Sequence, residues 1–404
     1  MLIHESNYDL ASPEYVRNAE RILNDWACSE HRVVKAALHG KPVYVVTDMA
    51  LAKKIFEDGK NFSFSPVGLS ADEALTEGAR AFVDQGLSSA LLSSEYDEYK
   101  NARRLFNQAL NISYTDRTDV VEARARLLLS RILDGVNTPT VDALALCQQY
   151  WLPLVAEIIG ISSLSFDELA EIARCARAIA DGNGLHGDRE AIDVLARANS
   201  TIERYLEAVV EAGPVPTDSA LGYFLREMAA SEAITCVRTF VLGGMDTGGT
   251  ALEFGTYQLA ADPNQRARFL AMGEQERRLA MTELVSREAP AYHSPRFAVR
   301  DITIEDLDIP AGTFIQLAMY GLNRCANSGF NIDRWSKTGC PVGRNETLPF
   351  GHARHRCPGE ELVRHLNSVF LGVLFTRYPE ISIRSVEKEC NAYSRGLSEL
   401  ILTI

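Results

Sequence analysis

The sequence predicts a mainly α protein with a small β part, organised as one domain over residues 1–404. Three observations predict it. Apolar residues recur at helical spacing through the middle of the chain. Runs rich in β-branched and aromatic residues are short, and lie near the start and in the last quarter. No repeat, low-complexity tract or clear linker divides the pattern.

In order along the chain, Lys41-Pro-Val-Tyr-Val-Val-Thr47 reads as a strand, followed by a helix from Met49 to Phe56. Helices charged on one side are expected at 95–110 and 118–136, and further ones at 139–160, 166–182 and 187–212. A loop holds Pro214 and Pro216. Residues 230–262 form a long apolar helical pattern interrupted by Gly243-Gly244, and 274–289 make another helix. From Arg296 to Met319 the pattern turns to short strands, with Pro310-Ala-Gly312 as a turn. Residues 320–356 are irregular. A last helix runs from Pro358 to Thr376, and short strands close the chain.

The chain has 404 residues, 46% hydrophobic and 24% charged, an ordinary globular balance able to enclose a sizeable ligand. A formal charge of −13 argues against nucleic acid as a partner. Eight cysteines are scattered without a CxxC pair, which reads as reduced thiols rather than a disulfide framework. The start of the chain shows no signal peptide or membrane anchor, so the expected compartment is the cytoplasm.

The sharpest segment is Leu348-Pro-Phe-Gly-His-Ala-Arg-His-Arg-Cys-Pro-Gly-Glu360. It sets Cys357 at the start of an amphipathic helix carrying Leu362, Leu366, Val369, Phe370 and Val373. Free N–H groups and the positive end of the helix dipole favour thiolate there. Taken alone, the cysteine is equally a packed thiol, or with His355 half of a zinc site, though no second pair at zinc spacing exists in the sequence.

The segment resembles the haem-binding signature of the cytochromes P450, Phe-Gly-x-Gly-x-His-x-Cys-x-Gly. Phe350, Gly351, His355, Cys357 and Gly359 match it, and Ala353 replaces the second glycine. The resemblance runs from about residue 90 to the end. It implies the P450 fold, with haem b between the long central helix and the cysteine-bearing helix. It also implies Cys357 as the iron ligand, Phe350 beside the sulfur and His355 near a haem propionate.

Within the long helix, Gly243-Gly-Met-Asp-Thr247 could by itself be a kink with a solvated acid. It resembles the family's Ala/Gly-Gly-x-Asp/Glu-Thr pattern. That implies Asp246 and Thr247 as the acid–alcohol pair that relays protons, with Gly243 leaving room beside the cofactor. Arg296, in Arg-Phe-Ala-Val-Arg-Asp301, is similar to the family's propionate-binding strand. Arg103 matches the arginine of its His-x-x-x-Arg helix, with Tyr99 in place of histidine. The family's Glu-x-x-Arg helix is altered here. Glu283 is in register, Ser286 stands where arginine belongs, and Arg287 lies about 100° around the helix. Arg334 matches the third member of that network. The expectation is therefore a direct Glu283–Arg334 pair, with Ser286 or water filling the gap.

The function implied is that of a monooxygenase acting on a small molecule, in secondary metabolism, with electrons from a ferredoxin and ferredoxin reductase. Arg344, Arg354, Arg356, Arg364, Lys100 and Arg104 would form a basic docking patch, or else are scattered solvated charges. Leu242, Gly243, Ala289, Tyr292, His293 and Leu397 would line the substrate pocket, although Tyr292 and His293 are equally ordinary loop residues. Two other classes stay open. One is a P450 that performs coupling, cyclisation, nitration or dehydration. The other is a P450-like recruitment domain without catalysis, against which Cys357, Asp246 and Thr247 speak.

Overall fold

The computed structural model describes residues 3–63, 96–182, 189–325, 329–335, 347–389, 391 and 393–404. Strand β1 (Ile3–Asp9) leads into helix α1 (Pro13–Ala27), whose entry is set by Ser12 Oγ accepting the Tyr15 N–H at 3.2 Å and by Pro13 in the first turn. The helix buries Tyr15, Ala19, Ile22, Leu23 and Trp26, an apolar stripe at helical spacing. Strands β2 (Val33–Leu38) and β3 (Lys41–Val46) pair antiparallel, then come helix α2 (Met49–Glu57) and strand β4 (Phe62–Ser63).

A helical body follows: α3 (Tyr96–Ser113), α4 (Thr118–Asp134), the short strand β5 (Thr140–Asp142), α5 (Ala143–Ile159), α6 (Phe166–Gly182), α7 (Arg189–Ala212), α8 (Ala220–Glu227), α9 (Ala230–Gly244), α10 (Thr247–Ala261), α11 (Pro263–Ala271) and α12 (Glu274–Arg287). Next are β6 (Ser294–Ala298), β7 (Ile302–Ile304), β8 (Leu307–Ile309), β9 (Phe314–Leu317) and α13 (Met319–Cys325). The cysteine-bearing segment opens α14 (Glu360–Arg377), and β10 (Ser382–Lys388) and β11 (Leu397–Thr403) end the chain.

The predicted mainly α architecture with a minor β part is what the chain adopts. A six-stranded sheet has the order β1-β2-β3-β9-β6-β4, and a three-stranded one has β10-β11-β5. The pairing of β3 with β9, Val43 opposite Phe314 to Val46 opposite Leu317, ties the first fifty residues to the last quarter. The main apolar core is helical. It joins Tyr150, Trp151 and Val155 of α5 to Val237, Phe240 and Val241 of α9, Leu252 and Phe254 of α10, and Leu366, Phe370 and Leu371 of α14. Helix α5 is buried nearly all round, which fits its near-continuous apolar sequence.

The helical pattern over 230–262, read as interrupted at Gly243-Gly244, is two helices, with Met245 and Asp246 between them. The break falls just after the two glycines, whose flexibility weakens the helix there. The cysteine helix starts at Glu360 with Gly359 as its N-cap, so Cys357 and Pro358 precede it rather than open it. Among the described residues no helix is long and apolar enough to cross a membrane.

Candidate active site

Helix α10 packs directly on α14, and the Asn367 side-chain amide donates to the Gly248 carbonyl at 3.1 Å. The break in the long helix and the cysteine helix are therefore joined by a fixed polar contact. At the break the Thr247 hydroxyl donates to the Gly243 carbonyl at 2.6 Å. Gly243 has open space on the side a Cβ would occupy. Asp246 is largely enclosed. Its pKa is raised by burial, an effect that the neighbouring Arg177 guanidinium opposes.

Arg177, on α6, is the principal residue that sequence reasoning missed. Its guanidinium donates to Asp246 Oδ1 at 3.0 Å, Thr250 Oγ1 at 3.2 Å, Glu389 Oε2 at 2.6 Å and the Arg395 carbonyl at 2.8 Å. Burial pulls its pKa down, yet Asp246 and Glu389 outweigh that and hold it above the ordinary arginine value. The result is a charged column from the helix break to Glu389, whose side chain is one-third exposed. Asp246, Thr250 and Glu253 sit at i, i+4 and i+7, one face of α10. Burial pushes the Glu253 carboxyl up to about 8, against the pull of Arg177, so it is uncharged at neutral pH.

On the cysteine side, Gly351 takes φ +75°, which a β-carbon disfavours, and the Cys357 N–H donates to the Phe350 carbonyl at 2.8 Å. Ala353, standing where the signature has its second glycine, holds the left-handed φ +52° that glycine would adopt more easily. Burial raises the Cys357 pKa. The Gly359 N–H, Arg103 and Arg356 pull the other way without reversing it. The helix start favours the thiolate and desolvation opposes it. Metal coordination would deprotonate the thiol. The Cys357 residue is solvent-accessible.

Glu283 is fully buried and accepts from Arg334 Nε at 2.9 Å, Trp335 Nε1 at 3.2 Å and the Asn331 N–H at 3.1 Å. The expected pair with Arg334 is present. The gap is closed by the Trp335 indole and the Asn331 amide. Ser286 turns away, donating to the Thr282 carbonyl at 2.7 Å, because a hydroxyl in a helix reaches its own preceding turn most easily.

Arg296 is buried (1% exposed), stacks over Phe56 at 4.6 Å and donates to the Pro295 carbonyl at 2.6 Å. Burial brings its pKa down to about 10. A cation placed so deep gains from an anionic neighbour. Tyr99, Arg103 and His355 converge on one stretch of loop. The Tyr99 hydroxyl donates to the Arg354 carbonyl, Arg103 donates to the Arg356 carbonyl at 3.0 Å, and His355 Nε2 accepts from Arg354 at 3.1 Å. Tyr99 and His355 also meet edge to face at 5.3 Å. A haem fits these residues. An accessible cysteine sulfur, open space beside Gly243 and a buried arginine would supply a ligand, room and a propionate partner. Among the described residues no group of three or more His, Cys, Asp or Glu is arranged to hold a metal ion, so the zinc alternative has no second half there.

The basic patch is smaller than expected. Arg356 donates to Glu360 at 2.6 and 2.8 Å, and Arg364 is buried, paired with Glu360 and Glu361 and stacked over Phe350 at 5.6 Å. Acids one helical turn away neutralise both arginines. Lys100 and Arg104 are exposed on α3, and Arg344 lies outside the described residues. Tyr292 and His293 are packed inside: Tyr292 meets Tyr320 edge to face at 5.7 Å, and His293 Nε2 shares a 3.2 Å hydrogen bond with the Tyr15 hydroxyl. Ala289 and Leu397 are buried, and Leu242 is half-buried.

A sequence profile described as "Cytochrome P450" matches residues 287–398. The chain is 24% identical over 383 residues to "Cytochrome P450 FAS1" of Rhodococcoides fascians, covering 91% of each chain. It is 24% identical over 396 residues to "Vitamin D(3) 25-hydroxylase" of Pseudonocardia autotrophica, covering 93% of this chain and 91% of that one. Its fold superposes on P450BioI, solved with an acyl carrier protein bearing hexadec-9Z-enoic acid, with a TM-score of 0.79 at 18% identity. That match covers 98% of this chain and all of the other.

Proposed function

Since the chain belongs to the bacterial-type cytochromes P450, an oxidoreductase family whose cofactor is haem b, we propose that it is a monooxygenase with Cys357 as the iron ligand, folded as one P450 domain over residues 1–404. It uses dioxygen and electrons supplied from outside to oxidise a small organic molecule in secondary metabolism. When bound, the haem supplies oxygen activation, and a thiolate ligand donates electron density that assists it.

The observation that carries the reading is the helix break itself. Asp246 and Thr247 stand where the backbone ladder opens, tied to the cysteine helix through Asn367 and to the exterior through Arg177 and Glu389. Thr247 holds its hydroxyl proton on the Gly243 carbonyl and can turn it toward the open space beside Gly243. Asp246 is kept charged or releases its proton according to how firmly Arg177 holds it, so the arginine sets when a proton passes inward. Cys357 supplies the sulfur. Arg296, with Tyr99, Arg103, His355 and their loop, would receive the propionates. Phe350, Gly351 and Gly359 shape the turn around the sulfur, and Gly243 would leave room beside the cofactor.

Electrons come from a ferredoxin and its reductase, met by Lys100 and Arg104 together with Arg354. These cations attract an acidic protein, and the reduced size of the patch implies a modest, salt-sensitive docking rate. The test is turnover with a surrogate ferredoxin, a small-molecule library and isotopically labelled dioxygen. One labelled oxygen atom in a product supports the reading. Products formed without label would replace it.

A further inference from the structure

The backbone ladder of the broken helix stops with the Met245 N–H on the Val241 carbonyl (3.0 Å) and resumes with the Thr250 N–H on the Asp246 carbonyl (2.9 Å). Between these points side chains take over as donors. The Gly243 carbonyl accepts from the Thr247 hydroxyl at 2.6 Å, and the Gly244 carbonyl accepts from the Trp151 indole N–H at 2.9 Å. In an unbroken helix the Gly244 carbonyl would accept from the N–H of Gly248. Trp151 occupies that place.

The ring is also a wedge. Trp151 is 1% exposed, and a Cβ at Gly248 would come within 2.0 Å of it, one at Gly249 within 3.1 Å. The two glycines of Thr247-Gly-Gly-Thr250 therefore have a packing reason, since they admit the indole against the backbone. Asn367 holds the far side of the same turn through the Gly248 carbonyl at 3.1 Å. Val155, one turn along α5 from Trp151, would meet a Cβ at Gly244 at 3.5 Å and offers packing but no donor.

We propose that Trp151 is a positioning residue that keeps the long helix open by capturing the Gly244 carbonyl, and so fixes where Asp246 and Thr247 stand. The inference rests on the haem-thiolate reading above and deepens it. Trp151 acts through Asp246 and Thr247, and its indole proton takes no part in transfer. Removing the donor lets the Gly248 N–H take the carbonyl, closes the helix and swings the acid–alcohol pair away from its setting.

The test compares wild type, Trp151→Phe and Val155→Ala as haem-loaded proteins. Three readouts are taken: the reduced carbon monoxide spectrum, amide hydrogen exchange in peptides covering 243–250, and the fraction of consumed dioxygen recovered as hydrogen peroxide with a surrogate ferredoxin and its reductase. Trp151→Phe is expected to keep a thiolate-type spectrum, to slow exchange across the break, and to raise the peroxide fraction about five-fold, the bias carried by one hydrogen bond of ordinary strength. Val155→Ala is expected to leave exchange and peroxide at wild-type levels. Wild-type exchange and peroxide in Trp151→Phe, or equal shifts in Val155→Ala, would overturn the proposal. A wild type without the thiolate spectrum sinks the haem-thiolate reading instead, and exchange still decides whether Trp151 holds the helix open. Trp151→Met, which also lacks a donor, carries the same readouts if the phenylalanine variant does not accumulate.

Discussion

Replacing Arg334 with methionine tests how this chain manages without the arginine usual at position 286. The change keeps a long apolar stem and removes the cation that donates to the fully buried Glu283 at 2.9 Å. Breaking a buried ion pair by deleting one partner costs about 3–5 kcal/mol, because a carboxylate is left behind. Here two neutral donors remain, the Trp335 indole at 3.2 Å and the Asn331 N–H at 3.1 Å. The Arg334 side chain is also 20% exposed, so water screens part of the pair. The expected loss is therefore at the lower end, about 3 kcal/mol. With a urea slope of about 3 kcal/mol/M, the unfolding midpoint falls by about 1 M. Glu283→Gln keeps the shape and the acceptor and costs less, about 1–2 kcal/mol. The double variant should lose less than the sum of the two, with a coupling of about 1–3 kcal/mol. Urea unfolding followed by circular dichroism measures all three. A midpoint shift under about 0.2 M for Arg334→Met, or strict additivity, would refute the claim that this pair replaces the usual network.

Glu253→Gln should show its effect through pH. The folded carboxyl titrates at about 8 against a reference of 4.5, so the folded chain binds the extra proton between those values. Wild-type stability therefore falls as pH rises from about 4.5 to 8, at up to about 1.4 kcal/mol per unit, while the glutamine variant lacks this loss. Melting curves of the two proteins should diverge across that window and run parallel above it, and parallel curves throughout would count against a buried neutral acid. Arg177→Met removes the cation beside Asp246, so the Asp246 pKa rises further and proton delivery slows. Oxidation should drop about ten-fold or more at neutral pH and recover partly at higher pH, and an unchanged pH profile would remove Arg177 from the relay. Raising ionic strength should slow reduction by an acidic ferredoxin, and Lys100→Glu with Arg104→Glu should flatten that dependence, which stopped-flow reduction can follow.

The chemistry-bearing segments were legible because each is local. Cys357 with its flanking glycines, and the acid and alcohol after two glycines, are read from residues within a few positions of one another. The Glu283–Arg334 pair was also foreseeable, since a buried acid with its usual partner missing must find another. Arg177 was not, because it meets Asp246 across 69 positions of sequence and looks like any solvated helix charge. Trp151 was hidden the same way, as one apolar residue in an apolar helix. The helix at Pro13–Ala27 was signalled by its Ser-Pro-Glu start and apolar stripe, which would have placed it. The basic patch was overestimated for a reason also visible in sequence: Arg356 and Arg364 each lie four residues from Glu360.

The claim on which the rest depends is the bond between the Cys357 sulfur and haem iron. Its most direct measurement is the absorption spectrum of the purified, reduced, carbon monoxide-treated protein beside that of Cys357→Ser. A thiolate-type Soret band in wild type, absent from the serine variant, is the predicted result. The same band in both proteins, or haem uptake in neither, would contradict it.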